Sequence, residues 1–188
     1  MDVKILKERV CKAIDDHREE IMALGDSIFQ EPELGYKEYK TAAKVKAFID
    51  EKIGIPHEDE IALTGIIAKM PGRDHKVNLA LMGELDAVVC PDHPYADPET
   101  GAAHSCGHFA QIAATFGAAL ALKESGVMEE LDGDIEFWAV PAEECVEIEW
   151  RNELRANGTI SFLGGKQEMI ARGYLDNVDL SLDRKSVV

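Results

Sequence analysis

The sequence Gly83-Glu84-Leu85-Asp86-Ala87 decides the fold class, because it follows directly on the apolar run 77–82. An almost continuous apolar run bounded by charged residues is typical of a strand that is covered on both faces, as in a parallel sheet. Glu84 and Asp86 then lie at or just past the carboxyl end of that strand. Since ligands of open α/β sheets bind at this end of the strands, the stretch predicts a functional site here.

Two more polar clusters border apolar segments in the same way. His104-Ser105-Cys106-Gly107-His108 leads into a small, alanine-rich helix predicted from residue 107 to residue 123. Pro141-Ala142-Glu143-Glu144 directly follows a strand predicted over 135–140. We therefore predict an α/β fold with a mostly parallel or mixed central sheet flanked by helices, and all three clusters at one edge of that sheet.

The remaining segments fit the flanks and the connections of such a sheet. The spacing of apolar residues predicts two amphipathic helices, one over 2–29 and one over 37–52. A composition rich in β-branched residues predicts a single strand over 61–70. The other predicted features are a loop over 90–104, helical turns near Glu153 and over 167–171, and a short strand over 178–182.

Length and charge exclude several classes of protein. The 188 residues suffice for one full-sized domain, and no apolar run approaches the roughly 20 residues that span a bilayer. Lys plus Arg number 20 against 36 Asp plus Glu, a net charge of -16, which argues against a nucleic-acid or membrane partner. The charged N-terminal segment shows no signal peptide and the four cysteines are irregularly spaced, so we expect a cytoplasmic protein with free thiols.

Cys106 and His108 are candidate metal ligands. A thiolate is favoured at a helix N-terminus, and two residues spaced i, i+2 on a turn can converge on one metal ion or on two adjacent ions. The structural alternative is a buried cysteine beside a surface histidine. A second alternative is a cysteine hydrolase with Cys106 as the nucleophile, for which His108 is poorly placed as the base.

Glu143, Glu144 and Asp86 are the candidate acidic groups. One carboxylate of an adjacent pair can bind a metal ion while its neighbour removes a proton from a nearby water. Asp86 can orient a metal ligand through a hydrogen bond. Taken singly, a pair of adjacent acids usually lies in a solvent-exposed turn. The structural alternative for Asp86 is a turn residue at the end of a strand. Three such signals at the strand ends of one sheet together argue for a site.

The other histidines and cysteines carry weaker signals. His93 and His104 belong to the loop around the site, and each can touch substrate or serve a structural role. Cys11 lies on the apolar side of the first predicted helix and is expected in the core. The residues expected at the surface or as ordinary thiols are His17, His57, His75, Cys90 and Cys145.

The three clusters resemble the motifs of the amidohydrolase branch of the M20 metallopeptidases, which includes aminoacylase-like and aminobenzoyl-glutamate hydrolases. Two further stretches agree with that pattern. They are Glu31-Pro32-Glu33-Leu34-Gly35 with Glu38 and Thr41, and Gly164-Gly165-Lys166-Gln167. The resemblance extends over nearly the whole chain.

The resemblance implies a hydrolase of amide bonds in N-acyl amino acids or related small amides, with two divalent metal ions, zinc or manganese. Cys106 resembles the ligand that bridges the ions, His108 a ligand of one ion and Glu144 a ligand of the second. Glu143 resembles the general base, and Asp86 the acid that orients the metal site. The implied partners are a small acyl-amino-acid-like substrate and, in the full-length form, further copies of the chain as a homo-oligomer.

Several features depart from the family pattern. Glu84 stands where the peptidase branch has a histidine ligand, and Phe109 is bulkier than the small polar residue expected there. A further histidine is expected soon after 178–182, and the chain continues as Asp183-Arg184-Lys185-Ser186-Val187-Val188 without one. Family members also contain a dimerisation domain and a second catalytic half.

These departures lead to an expectation about the extent of the chain. Residues 1–188 are predicted to be the N-terminal part of the catalytic domain, without the dimerisation domain and the C-terminal catalytic half. Such a chain is expected to bind metal weakly, to self-associate and to have little activity. The alternative is an inactive fragment or an interaction module that retains the fold.

Overall fold

The fold is built on a five-stranded mixed sheet within residues 2–183, the part of the chain that the computed structural model describes. The strands in chain order are β1 (His57–Ile61), β2 (Gly65–Met70), β3 (Asn78–Glu84), β4 (Val88–Val89), β5 (Ala102–Ala103), β6 (Asp134–Val140) and β7 (Leu180–Asp183). The order across the main sheet is β1-β2-β6-β3-β7, and β4 and β5 form a separate antiparallel hairpin. The mixed α/β sheet confirms the predicted fold class.

Helices flank this sheet. The α-helices are α1 (Val3–Asp16), α2 (Arg18–Phe29), α3 (Tyr39–Phe48), α4 (His108–Ser125), α5 (Ile148–Ala156) and α6 (Gly165–Ala171). A turn of π-helix, Ile49–Ile53, extends α3, and a 3-10 turn, Val127–Glu130, follows α4. α4 packs against β3 on one side and against α1 and α2 on the other, which explains why its apolar residues are small.

The parallel pair β3 and β6 brings the predicted polar clusters to one edge of the sheet. In their register Gly83 lies opposite Ala139 and Glu84 opposite Val140, so both strands end at the same level. β3 also pairs in parallel with β7, whereas β2 pairs antiparallel with both β1 and β6. The residues that follow β3 and β6 therefore emerge side by side.

Two apolar clusters cover the two faces of the sheet. Neighbouring residues of β6 point to opposite faces, so Phe137 belongs to one cluster and Trp138 to the other. Phe137 packs in the cluster that includes Phe116 of α4, and Trp138 in the cluster that includes Met169 of α6. Because both faces are covered, the central strands read as near-continuous apolar runs rather than as alternating patterns.

The first predicted helix is two helices. The backbone of His17 leaves the helical region (φ -106°, ψ 15°), which ends α1 before α2 begins. The apolar spacing continues across this break, so the periodicity does not reveal it. The expectation that Cys11 is in the core is wrong: the residue of α1 that is buried is Ala13, and Cys11 is exposed.

The predicted strand over 61–70 is also divided. β1 ends at Ile61 and β2 begins at Gly65, and the turn between them contains Ala62 and Leu63 with positive φ of 47° and 80°. The apolar sequence continues through this turn, which hides it from a composition-based prediction. The predicted loop over 90–104 is largely irregular, but its last residues include β5, which returns the chain to the site.

Within residues 2–183, no helix combines the length and the hydropathy that crossing a membrane requires. A histidine was expected soon after the last strand, and the sequence has none there. That prediction falls on residues 184–188, which lie outside the described part of the chain.

Candidate metal centre

His108, the first residue of α4, lies in the middle of the candidate metal centre and is 1% exposed. Its Nδ1 is 2.8 Å from the backbone carbonyl oxygen of Asp86. Because a carbonyl oxygen can only accept a hydrogen bond, Nδ1 carries the hydrogen and donates it. In the neutral imidazole the lone pair is then on Nε2, as in a histidine that is prepared to bind a metal.

Nε2 of His108 faces three carboxylates. It lies 3.0 Å from Glu84, 3.7 Å from Glu144 and 3.9 Å from Glu143. Burial alone would lower the pKa of His108, but hydrogen bonds and the charges of Asp86 and Glu84 outweigh burial and raise the pKa to about 11. Without a metal ion, His108 is therefore an imidazolium that neutralises the buried acids around it.

The potential ligand atoms form two overlapping groups. Cys106, His108 and Glu144 form the sulfur-side group, and Glu84, His108 and Glu143 form the acid-side group. In each group, one ligand atom from every residue lies within 4.8 Å of the other two. Sulfur, imidazole nitrogen and carboxylate oxygen are the donors that zinc and other divalent transition metals take in proteins. The residues present thus fit a metal centre.

The chain around Cys106 explains how the thiol reaches this position. The β4–β5 hairpin carries the chain back beside the end of β3, and His104 to Cys106 follow directly. Gly107 then has a positive φ of 88°, which turns the chain sharply so that His108 can begin α4. The sequence predicts this helix start to within one residue.

Asp86 ties the end of β3 to the loop after β6. It is fully buried, and its Oδ2 accepts a hydrogen bond of 2.9 Å from the backbone N–H of Glu144. Its Oδ1 lies 3.3 Å from Nδ1 of His108. One carboxylate therefore contacts two of the potential ligand residues, Glu144 and His108.

Glu38 is a buried acid that the sequence analysis did not place in the site. Its Oε1 accepts a hydrogen bond of 2.7 Å from the backbone N–H of Ala142, and its Oε2 accepts one of 2.6 Å from Oγ1 of Thr64. Burial, with a smaller contribution from the charge of Asp86, raises the pKa of Glu38 above its ordinary value. The family-like pattern in the sequence includes Glu38. That pattern does not indicate that the Glu38 side chain contacts the 141–144 loop.

Lys166 is a second residue that the sequence analysis did not place in the site. Its Nζ forms an ion pair with Glu84 and lies 2.8 Å from Asp183 and 4.0 Å from Glu143. Burial would raise the pKa of Glu84, but hydrogen bonds from His108 and Lys166 outweigh it and lower the pKa to about 2. A lysine in the first turn of a short helix, after two glycines, gives no local sign that it reaches a metal centre.

The two loop histidines lie in different surroundings. His104 is 5% exposed, and within the described residues neither of its ring nitrogens has a hydrogen-bond partner. Burial and the nearby charge of His108 lower the pKa of His104 to about 4, so its ring is neutral. His93 packs instead against Phe29 and Tyr95. Phe109 joins the two regions, with ring centroids 5.0 Å from Phe29 and 5.8 Å from His104.

The remaining histidines and cysteines lie outside the site. His75 and Cys145 are exposed, as expected. His57 was expected to be solvated, but its side chain is 12% exposed and pairs with Asp50. His17 is partly buried and pairs with Glu20, three residues along the chain in α2.

Comparison with known proteins identifies the class. Residues 80–182 match the model of peptidase family M20/M25/M40, and the matched segment contains all five residues that the sequence proposed for the site. The chain belongs to this family. The resemblance drawn from the motifs is therefore confirmed.

Two curated relatives and one solved structure describe the similarity further. A putative amidohydrolase, YhaA of Bacillus subtilis, is 28% identical over 96% of this chain and 41% of its own length. An N-acetyl-L-cysteine deacetylase of the same organism is 33% identical over 85% of this chain and 34% of its own length. The crystal structure of the YXEP protein of Bacillus subtilis, described as a dinuclear metal-binding peptidase, has a TM-score of 0.72 at 24% identity. That match covers 92% of this chain and 44% of the YXEP chain.

The coverage limits what these similarities establish. The chain spans 41% and 34% of the lengths of the two curated relatives. At 24% identity, the solved structure supports the fold. Activity, substrate and metal content are therefore argued from the chain's own residues.

Proposed function

We propose that these residues belong to a metal-dependent hydrolase that cleaves amide bonds in N-acyl amino acids or related small amides. The observation that carries the proposal is the convergence of a thiol, an imidazole and three carboxylates at the edge where β3 and β6 end. Family membership and the similarity to an N-acetyl-L-cysteine deacetylase support the reaction and substrate class. Residues 1–188 would form the N-terminal part of the catalytic domain, and the match to less than half of each relative's length agrees with a partial domain.

We infer that two divalent ions, zinc or manganese, are the resident metals. Cys106, His108 and Glu144 would supply the ligands of the sulfur-side ion. The hydrogen bond from Nδ1 of His108 to the Asp86 carbonyl leaves Nε2 for this purpose. When bound, the ions polarise a substrate carbonyl and lower the pKa of water.

Glu143 is the residue that we assign as the general base. Its side chain is 22% exposed, so it can meet water and substrate, whereas the Glu84 side chain is fully buried. A carboxylate in this position accepts a proton from the attacking water and returns it to the leaving amine. Glu38 and Asp86 position Glu143 and Glu144 by holding the backbone of the loop that carries them.

Calorimetric titration of the metal-free chain with zinc and with manganese tests the metal centre. We expect Cys106→Ala and His108→Ala each to weaken binding of the first ion by about tenfold or more, since each removes a ligand. Cys90→Ala is the matched control, because Cys90 is also a half-buried cysteine. Unchanged metal binding in both ligand variants would refute the proposal and favour the interaction module.

A hydrolysis assay with N-acyl amino acids tests the role of Glu143. We expect Glu143→Gln to lower kcat by about 100-fold, the usual contribution of a general base, while the first metal ion still binds. Glu149→Gln, on the exposed face of α5, serves as the control. Equal turnover by Glu143→Gln and the unaltered chain, both above the rate without protein, would remove Glu143 from the mechanism.

A further inference from the structure

Lys166 places a positive charge inside the candidate metal centre. Its ammonium lies against two carboxylates of the acid-side group, Glu84 and Glu143, and against Asp183 beyond them. We propose that Lys166 occupies the acid-side cation position, so that one divalent ion binds on the sulfur side and a second binds only after Lys166 is displaced. This inference rests on the proposed function, because it concerns the loading of the same centre.

The supply of ligand atoms supports this assignment. The two groups share His108, and its Nδ1 is engaged by the Asp86 carbonyl, so a single nitrogen serves both groups. An ion in the sulfur-side group takes that nitrogen. An ion on the acid side then depends chiefly on Glu84, with Glu143 beside it, and these are the carboxylates that Lys166 contacts. A divalent ion on the acid side and the Lys166 ammonium would also repel each other. The acid-side position therefore holds one of the two cations rather than both.

The burial of Glu84 explains why Lys166 stays in place without a second metal. The Glu84 side chain is fully buried, and an ionised carboxylate in such a position must be paired to avoid a large desolvation penalty. His108 pairs with one oxygen of Glu84, and Lys166 with the other.

The backbone before Lys166 fixes the position of the lysine. A Cβ added at Gly165 would lie 1.8 Å from the carbonyl oxygen of Pro141, so the start of α6 lies directly against the loop that carries Glu143. The N–H of Gly165 donates to the carbonyl of Ala142 at 3.1 Å. The adjacent side chain is thereby directed into the acid-side group rather than into solvent, and 23% of it remains exposed.

Metal titration of three lysine variants tests the inference. In the unaltered chain we expect two binding events, the second at least about tenfold weaker than the first. Lys166→Met should tighten the second event by about tenfold or more, since it removes the competing charge. Lys166→Arg retains the charge and should leave the second event weak. Lys44→Met is the matched control, because Lys44 is also 23% exposed and pairs with Glu31, a residue outside the centre.

The outcomes separate this inference from the proposed function. Equal second-ion affinity in Lys166→Met and the unaltered chain overturns the role of Lys166 and leaves the metal centre intact. Two equally tight ions in the unaltered chain overturn it as well. Failure of both proteins to bind any ion overturns the metal centre itself, and the role of Lys166 falls with it.

Amine labelling of the unaltered chain provides a measurement that does not depend on the folding of a variant. An acylating reagent with mass-spectrometric detection reports how accessible Lys166 is, with Lys44 as the internal reference. We expect the acylation rate of Lys166 to rise when the second equivalent of metal is added, because the ammonium loses its carboxylate partners. A rate that stays constant through both equivalents contradicts the proposal.

Discussion

Glu38, at the start of α3, holds the loop after β6 through a 2.7 Å hydrogen bond to the backbone N–H of Ala142, a residue 104 positions away in sequence. Ala142 has a positive φ of 49°, which is uncommon for a residue with a side chain. Glu143 and Glu144 follow directly. A buried acid on a flanking helix therefore fixes the backbone that carries both candidate functional carboxylates.

The first prediction concerns this contact. Glu38→Ala should lower the free energy of unfolding by about 2 to 4 kcal/mol, because it leaves a cavity and unpaired buried groups. Glu38→Gln should lower it by less than about 1.5 kcal/mol, since a neutral amide can still accept from Ala142 and burial already favours the neutral acid. Urea denaturation measures both values. Equal losses in the two variants would show that the charge of Glu38, rather than its hydrogen bond, is required.

The second prediction concerns the charge of His108 in the metal-free chain. His108→Ala removes the cation that faces Glu84 and Asp86, and we expect it to lower stability by about 3 kcal/mol or more. His75→Ala, at an exposed ion pair with Asp134, should change stability by less than about 1 kcal/mol. Adding Glu84→Gln to His108→Ala should restore part of the loss, because it removes an uncompensated buried charge. A double variant less stable than the single variant would contradict this account.

The third prediction concerns acid stability and Glu168. Burial would raise the pKa of Glu168, but hydrogen bonds from the backbone of Phe162 and Ser161 and from Arg172 outweigh it and lower the pKa. A carboxyl group with a lowered pKa in the folded state adds stability above its unfolded pKa, and that stability is lost as the pH falls.

Glu168→Gln should therefore be less stable than the unaltered chain at neutral pH by about 1 to 3 kcal/mol. The difference should shrink as the pH falls below 4.5, the ordinary pKa of the group. Urea midpoints measured at a series of pH values test this, with Glu149→Gln as an exposed control. A difference that grows on acidification would show that the sign is wrong.

The fourth prediction concerns the close approach at Gly165. Gly165→Ala should lower stability by about 2 kcal/mol or more, since its Cβ would overlap the carbonyl oxygen of Pro141. Gly158→Ala is the control: its φ is +81°, but nothing lies within 4 Å of an added Cβ, so only backbone strain of about 1 kcal/mol is expected. Thermal unfolding compares the two. A smaller effect at Gly165 than at Gly158 would contradict the close contact.

The sequence predicted the elements whose signals are local. The apolar run before Glu84 and the one before Pro141 each form a strand, and their parallel pairing places the three polar clusters together. The start of α4 at His108 agrees with the alanine-rich segment that follows. These features depend on composition and spacing over a few residues, which a sequence shows directly.

The features that were missed depend on contacts between distant residues or on backbone angles. Lys166 pairs with Glu84 across 82 positions, and no pattern near either residue indicates the pair. The turn after Ile61 depends on positive φ at Ala62 and Leu63, which are apolar residues that give no turn signal. His17 likewise interrupts the first helix without a proline or a glycine to mark the interruption.

The connection from β3 to β6 also determines at what point during synthesis the candidate ligand residues can first come together. Cys106 and His108 lie within this connection, Glu84 precedes it, and Glu143 and Glu144 follow it. A growing chain that ends before β6 contains Cys106 and His108 but not Glu143 and Glu144. The pairing of β3 with β6 joins residues far apart in sequence, and such contacts form late in folding. Assembly of the candidate metal centre would thus require the pairing of β6 with β3, so metal binding would report that this pairing has formed.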